Sequence, residues 1–444
     1  MPASNEVRDP EALGIEDLQE TWRLLAPDDR IEAFRSLPRS EAEDFFLDLP
    51  ARDQAELLSL MPAPDRRSWM RLLPPDDAAD VVQVAEESER EALLGLLDEA
   101  TRREVTALLA YAEDEAGGLM NPRYSRLRPE MTADEAIAYL RRQARERSET
   151  IYYNYVLDAD QKLMGVISFR TLFSAPPSAL VRDLMSHEVV TVTEDMDQEA
   201  VSRVFAQQDL MAIPVVDQQG HMKGIVTVDD IVDVVQEEAT EDIQKIGGTA
   251  ALGAPYLEVS MLGMVRKRAP WLGVLFLGEM LTATAMGRFE DQLARALVLS
   301  IFIPLIISSG GNSGSQASTL VIRAMALGEV RLSDWWRVIH REIAAGLALG
   351  GILGALGFGR VMLWQWMFQS YGDHGVVVGL TIAGSLLGVV TFGTFVGSML
   401  PFLLRRLGAD PASASAPFVA TLVDVTGIVI YFTVASWILR GSLL

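Results

Sequence analysis

Cysteine is absent from all 444 residues. Disulfides, thiolate-bound zinc, iron–sulfur clusters and thiol catalysis are therefore excluded. Histidine is scarce: His187, His221, His340 and His374 are scattered and form no metal-ligand spacing. Positive charge is in deficit, with 38 Lys and Arg against 61 Asp and Glu, a net charge of −23. Such a chain lacks the basic face that nucleic-acid binding requires. No apolar stretch opens the chain, so no signal peptide is expected. The length allows two or three domains.

What is present divides into two halves of opposite character. From Arg266 onward there are 13 basic and 9 acidic residues. The part of the chain before Arg266 carries 25 basic and 52 acidic groups, a balance of −27. An acidic half precedes an apolar one.

A membrane-crossing helix needs roughly 20 mostly apolar residues. Five stretches qualify, at approximately 269–288, 295–318, 343–364, 375–404 and 411–439. Basic residues in the connections predict the orientation. Arg266, Lys267, Arg268, Arg323, Arg331, Arg337, Arg341, Arg405 and Arg406 fall on one side, expected to be cytoplasmic. Arg288, Arg295, Arg360 and Arg440 fall on the other. This places the acidic half in the cytoplasm and the C-terminus outside. Trp364, Trp366, Phe368 and Tyr371 form an aromatic belt near the outer end of span three.

The acidic half is built from repeats. Leu25, Leu37, Leu49, Met61 and Leu73 recur at one constant interval, with Pro directly after the last four. Leu97 and Leu109 keep the phase after Ala85 interrupts it. Asp28, Ser40, Asp53, Asp65 and Asp76 follow the prolines and are expected to cap the next helix. The pattern predicts a small α-solenoid over about residues 14–112, with an ordinary helical bundle as the alternative. A second unit is duplicated. Asp158 and Asp217 are separated by the same offset as Gly165 and Gly224. Each copy reads as a helix, a strand, a turn ending in Gly, a second strand and a further helix. This unit, over about residues 118–237, looks like a tandem CBS pair, a regulatory sensor of adenosine ligands or ions.

Three features carry chemistry inside the spans. Span two holds Pro304 and then Ser308-Ser309-Gly310-Gly311-Asn312-Ser313-Gly314-Ser315-Gln316. Such a stretch at membrane depth lines a cavity or packs closely on another helix. A phosphate loop is disfavoured because the Walker Lys is missing. Span five holds Asp424 near the bilayer centre. An isolated carboxylate there costs about 2.5–3.5 kcal/mol on insertion scales. A cation in a water-filled path would offset that cost; a protonated structural Asp is the alternative. Span one holds Glu279, read as a helix–helix contact or a residue near the membrane surface.

These residues together resemble the MgtE family of magnesium channels. The likeness covers nearly the whole chain. It rests on Glu113-Asp114-Glu-Ala-Gly117-Gly-Leu119-Met120, Glu238-Ala-Thr-Glu241-Asp242-Ile, Gly310-Gly311-Asn312-Ser-Gly314-Ser-Gln316 and Thr421-Leu-Val-Asp424-Val-Thr426-Gly427. The fold it implies is a multi-domain membrane protein. A cytoplasmic α-helical superhelical N domain (1–117) precedes an α/β tandem CBS domain (118–237). A connecting plug helix (238–268) then leads to an all-α transmembrane domain of five helices (269–444). The function it implies is Mg²⁺ uptake through a homodimer, in the cell's inner membrane, with no enzymatic activity.

The resemblance further implies a pore on the two-fold axis, lined by spans two and five. Asp424, Ala420, Thr421, Asn312 and Gly311 are its expected ion-facing residues. Candidate regulatory Mg²⁺ ligands are Asp217, Asp229, Asp230, Asp233, Glu237, Glu238, Glu241, Asp242 and Glu258. High cytosolic Mg²⁺ would compact the acidic domains and close the pore, and ATP is the adenosine ligand implied for the CBS pair. Two departures are visible. Residue 416 is Ala, where a polar residue or Gly is expected, and 247–257 contains no acid, which points to weaker or altered gating. The rival readings are a broader divalent-cation or ion-coupled transporter, and a membrane protein that only senses nucleotides. An intramembrane carboxylate protease would need a second intramembrane Asp, and none is present.

Overall fold

The computed structural model describes residues 14–143, 152–257, 259–295 and 297–440. The chain divides into two compact units, Met1–Gln236 and Glu237–Leu444.

The first unit opens with eight short helices: α1 (Ile15–Thr21), α2 (Pro27–Ser36), α3 (Arg39–Asp48), α4 (Ala51–Leu60), α5 (Ala63–Met70), α6 (Pro75–Val84), α7 (Glu87–Leu94) and α8 (Glu99–Leu108). The Leu-Pro repeat explains them. A residue before Pro is pushed out of the helical region. Leu37, Leu49 and Met61 accordingly end their helices at ψ 144, 142 and 149°. The repeat leucines and methionines then turn inward: Leu37, Met61, Leu73 and Leu97 are all buried. An aromatic cluster fills the centre, with Trp22–Phe45 and Phe34–Trp69 ring centroids each 5.0 Å apart.

The expected caps differ from the observed ones. Pro38, Pro50, Pro62 and Pro74 occupy the N-cap positions and offer no side-chain hydrogen bond. Asp28, Asp53, Asp65 and Asp76 sit inside the first turn instead, and Ser40 is the second residue of α3. Those carboxylates face the positive end of the helix dipole, a contribution of about 0.3–1 kcal/mol each. Asp98 is a true cap, accepting from the backbone N–H groups of Ala100 and Thr101.

After α9 (Ala116–Leu119) come two three-stranded sheets of identical plan. The first comprises β1 (Arg126–Leu127), α10 (Ala133–Gln143), β2 (Tyr153–Leu157), β3 (Leu163–Ser168) and α11 (Phe169–Ser174). After α12 (Val181–Leu184), the second comprises β4 (Val192–Thr193), α13 (Gln198–Gln208), β5 (Ala212–Val216), β6 (Met222–Thr227) and α14 (Val228–Ile246). The first pairing is parallel and the second antiparallel in both sheets. Even the bulges correspond, at Val156/Leu157 and Val215/Val216, with the same offset as Asp158 and Asp217. The copies join reciprocally: Leu163 N–H donates to Gly220 O and Met222 N–H to Gln161 O, each at 3.1 Å.

Gly165 and Gly224 do not end turns, as the sequence pattern suggested. They lie within β3 and β6, where a neighbouring backbone passes close. A Cβ on Gly224 would stand 2.8 Å from Asn121 O, and one on Gly165 2.6 Å from Ser186 O. The turns themselves are held by Asp158 and Asp217. Each accepts two backbone N–H groups, from Asp160 and Lys162 and from Gln219 and His221 respectively.

The second unit continues from the end of α14. It contains α15 (Met261–Arg288), α16 (Glu290–Arg295), α17 (Leu297–Ser300), α18 (Ile303–Ala326), α19 (Trp335–Phe368), α20 (Gly375–Arg406) and α21 (Ala416–Ile438). Among the described residues five segments are long and apolar enough to cross a membrane: 261–288, 297–326, 332–368, 372–406 and 416–438. Glycines set their packing, as expected where small residues let helices approach in lipid. Gly346, Gly350 and Gly354 of α19 meet Thr391, Leu387 and Ala383 of α20, so these two helices run antiparallel. Gly310 and Gly314 of α18 meet Val389 and Gly393 of α20, so this pair is parallel. Such directions are those of successive spans alternating across a membrane.

Candidate ion-pathway site

The Gly-rich stretch of span two remains helical. It lies within α18, and its glycines are contact points with α20 and α21. A Cβ on Gly310 would lie 2.8 Å from Val423, and one on Gly314 2.8 Å from Val419. Gly311 faces Ala420, with 3.5 Å available. Hydroxyls of α18 tie down the start of α21. Ser315 Oγ donates to Ala416 O at 3.1 Å, and buried Ser318 Oγ to Ala414 O at 2.8 Å. The backbone of Ala416 thus supplies a hydrogen-bonding group that its side chain lacks.

Asp424 is the ninth residue of α21, about 12 Å along the helix at 1.5 Å per residue. It is half-buried, and α21 contains no Lys or Arg. Ala420 and Thr421 lie one turn earlier on the same face. Thr421 Oγ1 donates to Pro417 O at 3.0 Å. Because α21 is unbroken through Ala420, that carbonyl serves the helix ladder and has only its second lone pair to offer. Asn312 is exposed on α18, its amide 3.5 Å from Ser308 Oγ. Gly311 and Ala420 are therefore brought together, whereas Thr421 and Asp424 turn toward α15.

The partner of Asp424 across that interface is Glu279. Their carboxyl groups lie within hydrogen-bonding reach. Three contacts set the register of α15 on α21. Trp271 Nε1 donates to Ser415 Oγ at 3.1 Å. Gly278 abuts Thr421, where a Cβ would stand 2.6 Å from Cγ2. Glu279 then meets Asp424. The two helices run parallel, as first and fifth spans must. Of the two sequence readings of Glu279, this is the helix–helix contact. Its particular partner was not legible, since three further spans separate the two in sequence. No residue of α15 is buried within the chain, and Glu279 is exposed.

The end of α14 is anchored beside the start of α21. Lys245 Nζ donates to Asp410 Oδ2 at 2.6 Å and also pairs with Glu241. Ile246 packs against Ile322, Ala412 and Ala414. Gly248 follows in the left-handed region at φ 76°, its backbone against Trp271 and Pro417. A side chain there would be strained by φ and would strike the indole, which explains the glycine. Neither Lys245 nor Asp410 was singled out from sequence. Their only sequence signal is a lysine in the last turn of an acidic helix.

The candidate regulatory acids are distributed differently. Asp217, besides its two backbone bonds, contacts the His221 ring at 2.9 Å and Lys223 at 3.3 Å. Burial opposes its charge, but these hydrogen bonds prevail and hold its pKa well below the usual carboxylate range. Asp230 accepts from Thr227 Oγ1 at 2.6 Å, while burial pushes it up to about 7. Asp229, Asp233, Glu237 and Glu241 recur at every fourth position along α14, with Glu238 and Asp242 beside them. Glu258 lies outside the described residues. Among the described residues no three His, Asp or Glu gather as a metal-ligand group within the chain.

Comparison with known proteins assigns each region. Residues 303–434 match the MgtE family, described as divalent cation transporters. Residues 13–114 match the MgtE intracellular N domain, and 181–237 match the CBS domain. The CBS match covers the second copy, and the first copy repeats its strand topology. A Thermus thermophilus protein named magnesium transporter MgtE is 44% identical over 79% of this chain and 75% of its own length. An Enterococcus faecalis protein of the same name is 36% identical, over 76% of this chain and 72% of its own. A solved cytosolic domain of the Mg²⁺ channel MgtE, in complex with ATP, is 42% identical. It covers 51% of this chain and 92% of that one, with a TM-score of 0.47. An N domain, a CBS domain and five apolar helices ending in the matched transporter region leave one assignment: the chain is a membrane protein of the MgtE family of divalent cation transporters.

Proposed function

We propose that this protein conducts Mg²⁺ into the cell through a pathway on the two-fold axis of a homodimer, lined by α18 and α21 of both chains, with Asp424 as its ion-facing carboxylate. The observation that carries this reading is Asp424 itself: a half-buried carboxylate within a membrane helix that has no basic residue. Mg²⁺ prefers octahedral oxygen ligands and gives up its water reluctantly. A carboxylate can hold it through that water, without demanding a dry cage. Asn312, Thr421 and the second lone pair of Ala420 O add acceptors for the coordinated waters, and Gly311 keeps the crossing at Ala420 close. Selectivity then follows from the size and polarity of a hydrated cavity. The relatives named magnesium transporter support Mg²⁺ as the ion.

The wider proposal is a homodimer in the cell's inner membrane, N-terminus inside and C-terminus outside. The exposed flank of α15 supports a partner there. The −27 balance of the chain before Arg266 supports feedback by cytosolic Mg²⁺. Facing acidic surfaces repel, and divalent cations between them relieve the repulsion. The regularly spaced acids of α14 are the regulatory ligands in this reading, shared between surfaces rather than gathered within one chain. ATP belongs to the same proposal as a ligand of the CBS pair, whose two equivalent copies fit a paired adenosine-ligand frame.

Mg²⁺ uptake into liposomes, with and without internal Mg²⁺, tests it. Asp424→Asn is expected to abolish uptake while the protein still purifies folded. Normal uptake by that variant would sink the proposal.

A further inference from the structure

We propose that Glu279 is a second ion-facing carboxylate in each chain, acting beside Asp424 on the hydrated cation and setting the affinity for it. This rests on the Mg²⁺ pathway proposed above. Glu279 is the only charged residue between Arg268 and Arg288, and the register of α15 on α21 delivers it to Asp424. Gly278 is what permits that register. Any larger residue would collide with Thr421 and lift α15 away from α21. The two carboxyl groups then lie within hydrogen-bonding reach, although they come from the first and last spans of the sequence.

Two carboxylates so close repel unless a proton or a cation stands between them. Asp424 is half-buried, but Glu279 is exposed and α15 buries no residue. The pair therefore lies on the flank that the single chain leaves uncovered, where the partner chain and the two-fold pathway are proposed, rather than inside the chain's own helix packing. A hexahydrated Mg²⁺ presents neighbouring coordinated waters about 3 Å apart on one face of its octahedron, so two adjacent carboxylates can both accept from one ion without stripping its shell. Asp424 alone would supply one negative charge per chain; with Glu279 the site supplies two.

The test is Mg²⁺ uptake by the full chain in liposomes over a range of external Mg²⁺. Glu279→Gln keeps shape and hydrogen bonding but removes the charge. It is expected to raise the half-saturating Mg²⁺ concentration about tenfold, the loss of one charge-assisted hydrogen bond, with the maximal rate nearly unchanged. Glu279→Asp is expected to recover part of the affinity. An unchanged half-saturating concentration in Glu279→Gln would make Glu279 a helix contact and overturn the inference. Normal uptake by Asp424→Asn would instead overturn the pathway itself. The natural absence of cysteine supplies a readout independent of flux. In Glu279→Cys a membrane-impermeant cationic thiol reagent is expected to label the new thiol, and added Mg²⁺ to slow the labelling several-fold. Labelling that fails, or that Mg²⁺ leaves unchanged, would overturn the inference even if the charge-removing variant did not fold.

Discussion

Lys245 Nζ and Asp410 Oδ2 lie 2.6 Å apart, joining the end of α14 to the connection between α20 and α21. Glu241 pairs with the same ammonium from one turn back. The chain entering the membrane is therefore clamped to the segment from which the Asp424 helix starts. Ile246 adds apolar contact with Ala412 and Ala414.

Lys245→Met should loosen this clamp by about 1 kcal/mol, the scale of a partly exposed ion pair. Residues 247–260 should then be cut several-fold faster by protease in the detergent-solubilised protein. The pH dependence has a definite sign. Burial opposes the lysine's charge, but the hydrogen bonds of Asp410 and Glu241 outweigh it and raise its pKa above the ordinary lysine value. A raised lysine contributes fully below its unfolded value, roughly 10.4, and is lost only as pH rises through the higher folded value. Cleavage of the unsubstituted chain should consequently be the same at pH 6 and pH 9. Equal cleavage of wild type and Lys245→Met would remove the clamp from the account.

Most of the architecture is legible in the sequence because it follows from local rules repeated along the chain. The Leu-Pro period dictates where α2, α3 and α4 end, since each pre-proline residue must leave the helix. The constant offset of Asp158 and Asp217 recurs in strands, bulges and turns. Asp424 stands out because a membrane helix has few ways to tolerate a charge. What stays hidden depends on tertiary neighbours. Nothing near Gly165 or Gly224 announces that Ser186 or Asn121 will pass beside it. The acids after the prolines read as caps, but Pro50, Pro62 and Pro74 hold the N-cap positions and set Asp53, Asp65 and Asp76 inside the first turn, where Asp76 accepts from Asn121 instead. Glu279 and Asp424 are each visible, yet their pairing depends on a helix register set by Gly278 and Trp271.

The crossing of α18 and α20 should be the least tolerant place in the membrane unit. A Cβ on Gly397 would overlap the carbonyl oxygen of Gly314, and one on Gly393 that of Gly310. Backbone atoms cannot swing aside as side chains do. Gly397→Ala should cost about 1–3 kcal/mol by overpacking, lowering the unfolding temperature in detergent by several degrees. Gly351→Ala, where nothing lies within 4 Å, should leave that temperature unchanged or raise it slightly. Equal behaviour of the two variants would mean that α18 and α20 are not held this closely.

The same reasoning applied to the duplicated sheets separates backbone from side-chain obstruction. At Gly224 a Cβ would meet Met120 Cγ at 2.9 Å and Asn121 O at 2.8 Å. The methionine can repack, being unbranched and adaptable. The oxygen cannot, because it accepts from Ile225 N–H at 3.0 Å while Asn121 N–H donates to Ile225 O at 2.7 Å. Moving it breaks a reciprocal pair of backbone bonds. Gly224→Ala should therefore destabilise the first unit by about 1–3 kcal/mol, and adding Met120→Ala should not rescue it. Thermal unfolding of the single and double variants checks this. Rescue by Met120→Ala would place the obstruction in the side chain and show that the Asn121 backbone can yield.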